Sequence, residues 1–195
     1  MQIDIRAKSF AGRPVLGPIH LALSQGQRVA ILGPSGIGKT TFLRIVAGLD
    51  PDFDGAVTEP GRTTMVFQEP TLLPWRTALE NITLAAGVTA DTARRLLTEV
   101  GLDGKDALYP RQLSLGQQRR LALARAFAPS PTTLLMDEPF ASLDADTAGR
   151  MLDLTAALLD RAGVSLIFVT HDPAEAARLK AQTLTLSGIP AKLVS

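Results

Sequence analysis

The chain has 195 residues, about the length of one domain, and its 46% hydrophobic and 20% charged residues exclude intrinsic disorder. Its 20 Lys and Arg residues against 19 Asp and Glu residues leave a net charge of +1, without the basic excess that nucleic-acid binding needs. It contains no cysteine, which excludes disulfides and Cys-ligated zinc, and no apolar run of the roughly 18 residues that a membrane span needs.

The first predicted elements are short strands and one helix. Residues 3–5 and 21–23 alternate large apolar residues with other side chains, which predicts antiparallel strands at one edge. Residues 28–32 form an apolar run that ends at a glycine, as in a strand buried on both faces. A helical pattern begins at Lys39 and closes near Gly48.

Strand and helix patterns alternate along the rest of the chain. Further strands are predicted at 63–67, 133–137, 164–170 and 182–187. Helices are predicted at about 77–86, 91–101, 115–128 and 145–162. The alternation predicts one α/β domain over 1–195, with a mainly parallel core sheet and a small antiparallel edge sheet. The stretch 70–128 contains helical patterns only, so we interpret it as an inserted helical subdomain.

An eight-residue segment between the strand at 28–32 and the next helix fits the phosphate-loop pattern G-x-x-x-x-G-K-[ST]. Its glycines let the backbone curl so that N–H groups and the helix N-terminus face an anion. Lys39 adds charge for the β- and γ-phosphates, and the Thr40 hydroxyl can ligate Mg²⁺. The predicted nucleotide-binding residues are Gly33, Pro34, Ser35, Gly36, Ile37, Gly38, Lys39, Thr40 and Thr41.

Two adjacent acids end the predicted strand at 133–137. Ligands bind at the carboxyl ends of parallel strands, so Asp137 is placed to hold Mg²⁺ and Glu138 to accept a proton from an attacking water. Neighbouring strand residues point to opposite faces, so the two acids can serve these different roles only if the strand ends there, as Pro139 indicates. Alone, such acids are more often solvated, but the phosphate loop favours catalysis.

The segment Leu113-Ser114-Leu115-Gly116-Gln117 has the S-x-x-Q spacing of a capping box, which predicts a helix N-terminus that attracts anions. It also resembles the LSGGQ signature of ATP-binding cassette (ABC) ATPases, with Leu115 in place of the first glycine. The resemblance covers most of the chain and implies the fold of a P-loop NTPase that hydrolyses ATP. The motifs follow that family's order: the phosphate loop, Gln68, the signature, Asp137-Glu138, Ser142-Leu143-Asp144 and His171.

The resemblance implies roles for individual residues. Phe10 resembles the aromatic residue that stacks on adenine, a position more often occupied by tyrosine. Gln68 resembles the Q-loop glutamine that contacts Mg²⁺ or water and senses the membrane partner, and Asp144 resembles the D-loop aspartate at a dimer seam. His171 resembles the histidine that contacts the γ-phosphate, which makes it a catalytic residue beside Glu138 and Gln68. The implied Mg²⁺ ligands are Thr40, Gln68 and Asp137.

In this family the signature faces an ATP that is held by another subunit. The resemblance therefore implies a head-to-tail dimer of two copies, with two ATP molecules in its seam. Leu115 could crowd the γ-phosphate or pack in the seam, and we expect hydrolysis to survive because Ser114 and Gly116 are kept. The signature residues that would act on the other copy are Ser114, Leu115, Gly116 and Gln117.

His171 could instead be an ordinary loop residue before a helix. Asp172 and Glu175 have the spacing of a second capping box, with Pro173 at the first helical position. Because His171 follows the strand at 164–170, it should lie at the same sheet edge as the two acids, which favours a catalytic role.

The run from Phe67 to Arg76 resembles ABC importers of the nitrate, sulfonate and taurine group, in which Q-E-P-x-L-L-P-W is common. Exposed, this proline-rich apolar loop would form a docking surface for a membrane subunit. Alternatively, Leu72, Leu73 and Trp75 fill a core, and for Trp75 the sequence favours neither interpretation.

The resemblance implies an ATP-binding and ATP-hydrolysing subunit that powers a membrane importer of a small anion or sulfonate-like solute. Its partners would be integral membrane permease subunits, and it would lie in the cytoplasm, peripheral on the inner face of the cell membrane. A P-loop kinase or GTPase would share the phosphate loop but not the signature, and the guanine-reading N-K-x-D is absent. A non-transport ABC ATPase would need coiled-coil arms or a second cassette, so no nucleic-acid partner is expected.

Two further expectations concern details of the fold. The segment between Thr41 and Gln68 is short, which predicts a trimmed edge sheet. In the helix after the signature, three basic side chains are expected to be solvated or salt-bridged: Arg119, Arg120 and Arg125.

Overall fold

The computed structural model of the chain describes residues 1–59 and 61–194, which form two sheets and six α-helices within these ranges. The strands are β1 (Gln2–Phe10), β2 (Arg13–Leu16), β3 (Ile19–Ala22), β4 (Arg28–Leu32), β5 (Asp54–Thr58), β6 (Thr63–Val66), β7 (Thr133–Asp137), β8 (Ser165–Val169), β9 (Gln182–Ser187) and β10 (Lys192–Val194). The helices are α1 (Lys39–Val46), α2 (Ala78–Ala86), α3 (Ala90–Glu99), α4 (Leu115–Phe127), α5 (Ala145–Ala162) and α6 (Pro173–Arg178), with a 3-10 turn at Pro110–Gln112.

The larger sheet has six strands in the order β10-β9-β4-β8-β7-β6. All neighbours are parallel except β10, which runs antiparallel to β9, so the predicted parallel core is confirmed. Strands β7 and β8 are buried along their whole length because apolar layers cover both faces. Leu134 and Met136 pack towards α2–α5, whereas Leu135 packs towards α1 and the smaller sheet.

The smaller sheet is larger than the sequence predicted. Strand β1 pairs antiparallel with β2, β3 and β5, so the predicted antiparallel edge sheet is confirmed and has four strands, two more than the segments 3–5 and 21–23 indicated. The sequence of β5 contains a glycine and an aspartate at its start and has little strand propensity of its own. Its conformation comes from pairing with β1, where a Cβ on Gly55 would lie 2.1 Å from the carbonyl oxygen of Asp4.

The chain between β6 and β7 contains helices α2, α3 and α4 and the 3-10 turn, as the helical patterns predicted. Helix α2 begins with a capping box of Thr77 and Glu80 and ends at Gly87 in the left-handed conformation. The three helices pack their apolar faces into one core with the sheet, through residues such as Ile82, Leu97 and Leu121. Over the ranges that the structure describes, no helix has both the length and the apolar character of a membrane span.

Candidate functional site

The phosphate loop connects β4 to α1 at the carboxyl end of the parallel sheet. Gly38 lies just before the helix with a φ of 112°, a conformation that side chains disfavour. A Cβ at Gly38 would lie 2.8 Å from Cδ2 of Leu16 and 3.2 Å from Cγ1 of Val15. Glycine is required here for both reasons, and β2 supports the loop from outside.

Lys39 is buried at the start of α1, with its side chain folded back over the loop. Its Nζ donates hydrogen bonds to the carbonyl oxygens of Gly33 at 2.8 Å and Pro34 at 3.1 Å. The same atom lies 3.6 Å from Oε1 of Glu138. The ammonium is therefore held next to the loop backbone and one of the two predicted catalytic acids.

Asp137 ends β7 and lies beside the first turn of α1. The Thr40 hydroxyl donates a hydrogen bond of 3.1 Å to Oδ1 of Asp137. Burial raises the pKa of Asp137, the Thr40 hydrogen bond opposes this shift, and the negative charge of Glu138 adds to it. A buried carboxylate beside a hydroxyl, next to a second acid, is a set of hard oxygen donors that fits Mg²⁺.

Glu138 leaves the strand in a left-handed conformation, with a φ of 42°. Strand β7 ends at Asp137, so the predicted strand end is confirmed. Oε1 of Glu138 faces Lys39, while Oε2 lies 3.9 Å from Nδ1 of His171. A strained backbone of this kind, held by its surroundings, is often found at functional sites.

His171 follows β8 and is exposed at the same sheet edge as the acids, as predicted. The predicted second capping box is wrong in part. Asp172 caps α6 by accepting from the N–H of Ala174, but Glu175 does not reach back to the Asp172 N–H. Instead the Thr170 hydroxyl donates to Glu175 at 2.6 Å and accepts from that N–H at 3.0 Å. Burial raises the pKa of Glu175.

One cavity of about 550 Å³ brings most of the predicted site together. We call it the phosphate-loop cavity. Asp137 adjoins it through Thr40, and His171 through Glu138. The sequence did not single out Val15, which also lines it and shows no chemical signal in the sequence. Its lining residues are Phe10, Val15, Ser35, Gly36, Gly38, Lys39, Thr40, Thr41, Gln68 and Glu138.

The signature lies in a different cavity of about 440 Å³, which we call the signature cavity. Ser114 and Gln117 form the predicted capping box of α4, with hydrogen bonds of 3.3 and 3.0 Å between them. A Cβ at Gly116 would lie 3.2 Å from Cγ2 of Thr147, so α5 approaches closely. The signature cavity shares no residue with the phosphate-loop cavity; it is lined by Ser114, Leu115, Gly116, Gln117, Arg120, Ser142, Leu143, Asp144, Thr147 and Arg150.

Asp144 and Leu115 border the signature cavity in different ways. Asp144 caps α5, and the N–H of Thr147, which lies 2.9 Å from its Oδ1, lowers the pKa of Asp144. Leu115 occupies the first turn of α4 and is 46% exposed, although it is large and apolar. Because nearly half of this residue is exposed, its side chain is available for contact with another surface.

The sequence predicted that the arginines on α4 are solvated or salt-bridged, and this prediction is wrong for two of them. Arg119 is buried and donates a hydrogen bond of 3.2 Å to the carbonyl oxygen of Pro139, next to Glu138. Arg125 donates to the carbonyl oxygens of Pro70 and Thr71 in the loop after Gln68. Burial lowers the pKa of both guanidinium groups. The helical spacing of charges could not reveal these contacts because their acceptors are distant in sequence.

The loop after Gln68 divides its apolar side chains between the core and the surface. Leu72 packs against the core, whereas Trp75 is 67% exposed. Asn81 is fully buried in α2, accepts from the N–H of Leu73 and donates to carbonyl oxygens of this loop. The loop is therefore anchored while its tryptophan faces outward.

Relatives of the chain are similar over most of its length. The aliphatic sulfonates import ATP-binding protein SsuB 1 of Pseudomonas savastanoi pv. phaseolicola is 44% identical, and the match covers 97% of this chain and 81% of that protein. SsuB 3 of Rhodococcus jostii is 46% identical over 92% of this chain and 68% of its own length. A solved dimeric ATP-binding cassette in a post-hydrolysis state, bound to ADP and Pi, has a TM-score of 0.84 and 27% identity, covering 100% of this chain and 96% of that one.

The family model for the ABC transporter matches residues 16–141. This range includes the phosphate loop, Gln68, the signature and both acids, whereas Phe10, Asp144 and His171 lie outside it. The likeness in fold and the sequence identities agree with that match. The chain therefore belongs to the ABC transporter family, as an ATP-binding and ATP-hydrolysing subunit that powers a membrane transporter.

Proposed function

We propose that the chain hydrolyses ATP with Mg²⁺ as a head-to-tail dimer, in which each signature cavity closes over the ATP in the phosphate-loop cavity of the other copy. The observation that carries the proposal is the division of the motifs between two cavities that share no residue. Groups that would surround one γ-phosphate are thus kept apart within a single chain. A second copy supplies the missing side of the site, and the exposed Leu115 packs in the seam.

The first group of predicted residues binds the nucleotide and its Mg²⁺. The phosphate loop from Gly33 to Thr41 holds the triphosphate, with the Lys39 ammonium against the β- and γ-phosphates. Phe10, which lines the same cavity, stacks on the adenine. The residues that would hold Mg²⁺ are Thr40, Gln68 and Asp137, and the bound ion supplies positive charge to the phosphate oxygens.

Glu138 provides the general base. Its carboxylate accepts a proton from water while the water oxygen forms a bond to the γ-phosphorus, and the bond from that phosphorus to the bridging oxygen breaks. ADP leaves with the electron pair of that bond. His171, which lies 3.9 Å from Glu138, contacts the γ-phosphate on the same side, and Ser114 of the other copy contacts it across the seam. Asp144 lies beside that seam.

The transporter that this ATPase serves is an importer, and its solute is an anion of the aliphatic sulfonate class, as the names of the relatives indicate. The chain forms one domain whose helical subdomain, about 70–128, carries both the signature and the exposed Trp75. Integral permease subunits bind there and hold the ATPase on the cytoplasmic face of the membrane. No nucleic acid takes part, in keeping with the net charge of +1.

The role of Glu138 as the general base is tested with Glu138→Gln, which keeps the shape of the side chain but cannot accept the proton. We expect ATP binding to persist, turnover to fall by about a hundredfold or more, and dimers to accumulate with ATP. The control is Glu99→Gln, which removes only an ion pair with Arg161 at the end of α3. Parental turnover in Glu138→Gln would refute the assignment.

The dimer is tested by mixing two inactive variants. Glu138→Gln keeps an intact signature, and Ser114→Arg keeps an intact base, so only a mixed head-to-tail dimer contains one complete site. With random pairing, the mixture should recover about a quarter of parental turnover. Turnover per chain should also fall on dilution. No recovery in the mixture, together with turnover that does not depend on concentration, would rule out shared sites.

The solute class is tested in a bacterial strain that lacks its own sulfonate importer ATPase. The chain, expressed with its permease and binding protein, should restore growth on an aliphatic sulfonate as the sole sulfur source. Growth on sulfate serves as the control condition, and Lys39→Ala as the inactive control. Equal growth on the sulfonate with the parental chain and with Lys39→Ala would contradict the assigned solute.

A further inference from the structure

Lys8 is a charged residue in the interior, with only 1% of its side chain exposed. It lies on β1 two residues before Phe10, whose ring lines the phosphate-loop cavity and is half exposed. Burying an ammonium group costs free energy unless partners replace the lost water. The proposed mechanism does not use Lys8. The partners of its ammonium group indicate the role of this residue.

The ammonium of Lys8 has partners on two sides. Its Nζ donates to Oδ1 of Asp50 at 2.8 Å and to the carbonyl oxygen of Asp52. On the other side it lies 4.5 Å from the centroid of the Phe10 ring, within the range of a cation–π contact. The hydrogen bond between Lys8 and Asp50 raises the pKa of Lys8 and lowers that of Asp50, so both side chains stay charged at neutral pH.

The backbone of β1 is irregular where Lys8 turns inward. Its register shifts between Ile5 and Ala7 against β5, and again between Lys8 and Ser9 against β2. Such bulges change the direction of side chains and are common next to active sites. Here the shifts place Lys8 inside and leave Phe10 at the rim of the cavity.

Asp50 connects this pair to the phosphate loop. It follows α1, and its N–H and that of Leu49 donate to the carbonyl oxygen of Arg44 in the last turn of that helix. Helix α1 begins with Lys39 of the phosphate loop. A continuous series of contacts therefore runs from the Phe10 ring through Lys8 and Asp50 to the helix that carries the phosphate loop.

We infer that Lys8 is a positioning residue for the base of the nucleotide. Its ammonium occupies one face of the Phe10 ring, which leaves the opposite face for adenine, and its contact with Asp50 fixes the distance between that ring and the phosphate loop. The inference rests on the proposed stacking of adenine on Phe10. It assigns Lys8 an effect on the adenine end of ATP, because the contacts of its ammonium within the described residues are with Asp50, Asp52 and the Phe10 ring, not with the phosphate loop itself.

The test compares ATP with inorganic tripolyphosphate, which has the phosphates but no base. In Lys8→Met we expect the Kd for ATP to rise about three- to tenfold and the Kd for tripolyphosphate to stay unchanged. The KM for ATP should rise while kcat changes little. Lys8→Arg, which keeps the cation, should restore most of the affinity. The matched control is Arg6→Met, on the same strand, which removes an exposed ion pair with Asp54 away from the ring.

A double-mutant cycle isolates the contact between Lys8 and the Phe10 ring. In a Phe10→Ala background, Lys8→Met should weaken ATP binding no further. Equal weakening of ATP and tripolyphosphate by Lys8→Met, or an undiminished effect without the ring, overturns the inference. Parental ATP affinity in Phe10→Ala overturns instead the stacking role on which it rests. Should Lys8→Met not fold, Asp50→Asn must give the same selective loss for ATP.

Discussion

The Nη2 atom of Arg125 lies 3.0 Å from the carbonyl oxygen of Pro70, which ties the helix that begins at the signature to the loop that follows Gln68. Two further hydrogen bonds from Arg125 reach Thr71, whose backbone has a φ of 45°. On the same helix, Arg119 binds the carbonyl oxygen of Pro139. Helix α4 therefore contacts the backbone beside both Gln68 and Glu138.

Arg125→Met should lower the free energy of unfolding by about 2–3 kcal/mol, because three acceptors lose a charged donor. Urea denaturation measures the change. The control is Arg95→Met on α3, where the exposed guanidinium forms no ion pair within the described residues; we expect a change below about 0.5 kcal/mol. Equal losses in the two variants would show that the contacts of Arg125 do not stabilise the fold.

Trp75→Ala should weaken binding to the permease more than tenfold and leave ATP affinity unchanged. The side chain is 67% exposed and outside both cavities, and exposed tryptophans often dominate interfaces. A pull-down with the permease and a nucleotide titration measure the two effects. Ile189→Ala is the control, since Ile189 is 91% exposed between β9 and β10. Equal losses of both kinds of binding would contradict this role for Trp75.

Asp137→Asn should stabilise the nucleotide-free protein at neutral pH. Folding raises the pKa of Asp137, so the folded state disfavours its ionised form. This cost is absent below the unfolded pKa, where the group is protonated in both states, and appears as pH rises through the folded pKa. The Tm should therefore rise at pH 7.5, where 1 kcal/mol corresponds to about 2–4 °C, and the gain should shrink towards pH 4.5.

The same variant should lose Mg²⁺-dependent ATP hydrolysis, because an amide is a weaker ligand for this ion than a carboxylate. Differential scanning fluorimetry across the pH range and a phosphate-release assay measure the two effects. Asp91→Asn, at an exposed position on α3, is the control and should change neither. A Tm gain for Asp137→Asn that is independent of pH would argue against the assigned cause.

Gly38→Ala should abolish nucleotide binding, since the new Cβ would lie 2.8 Å from Leu16 at a φ of 112°. The control is Gly87→Ala at the end of α2, which also has a positive φ, of 65°, but nothing within 4 Å of its Cβ. It should cost about 1 kcal/mol of stability and keep ATP affinity. Isothermal titration measures the ATP affinity of both variants, and retained affinity in Gly38→Ala would contradict the packing argument.

The local motifs were predictable because each depends on residues that are close in sequence. The phosphate loop, the capping box of Ser114 and Gln117 and the end of β7 at Asp137 all follow from short-range spacing and backbone preference. Strand β5 was missed because its conformation comes from pairing with β1, distant in sequence. Capping of α6 was wrong in part because Glu175 finds a better partner in Thr170.

The sequence by itself determined the alternation of strands and helices, the phosphate loop, the signature and the family that these motifs indicate. Only the tertiary structure decided that Trp75 is exposed, that Arg125 binds the loop after Gln68 and that Lys8 is buried under Phe10. It also decided that the phosphate loop and the signature line separate cavities. The physical reason is the range of the interactions: hydrophobic periodicity and capping act within a few residues, whereas burial and ion pairing depend on which distant segments the packed sheet brings together.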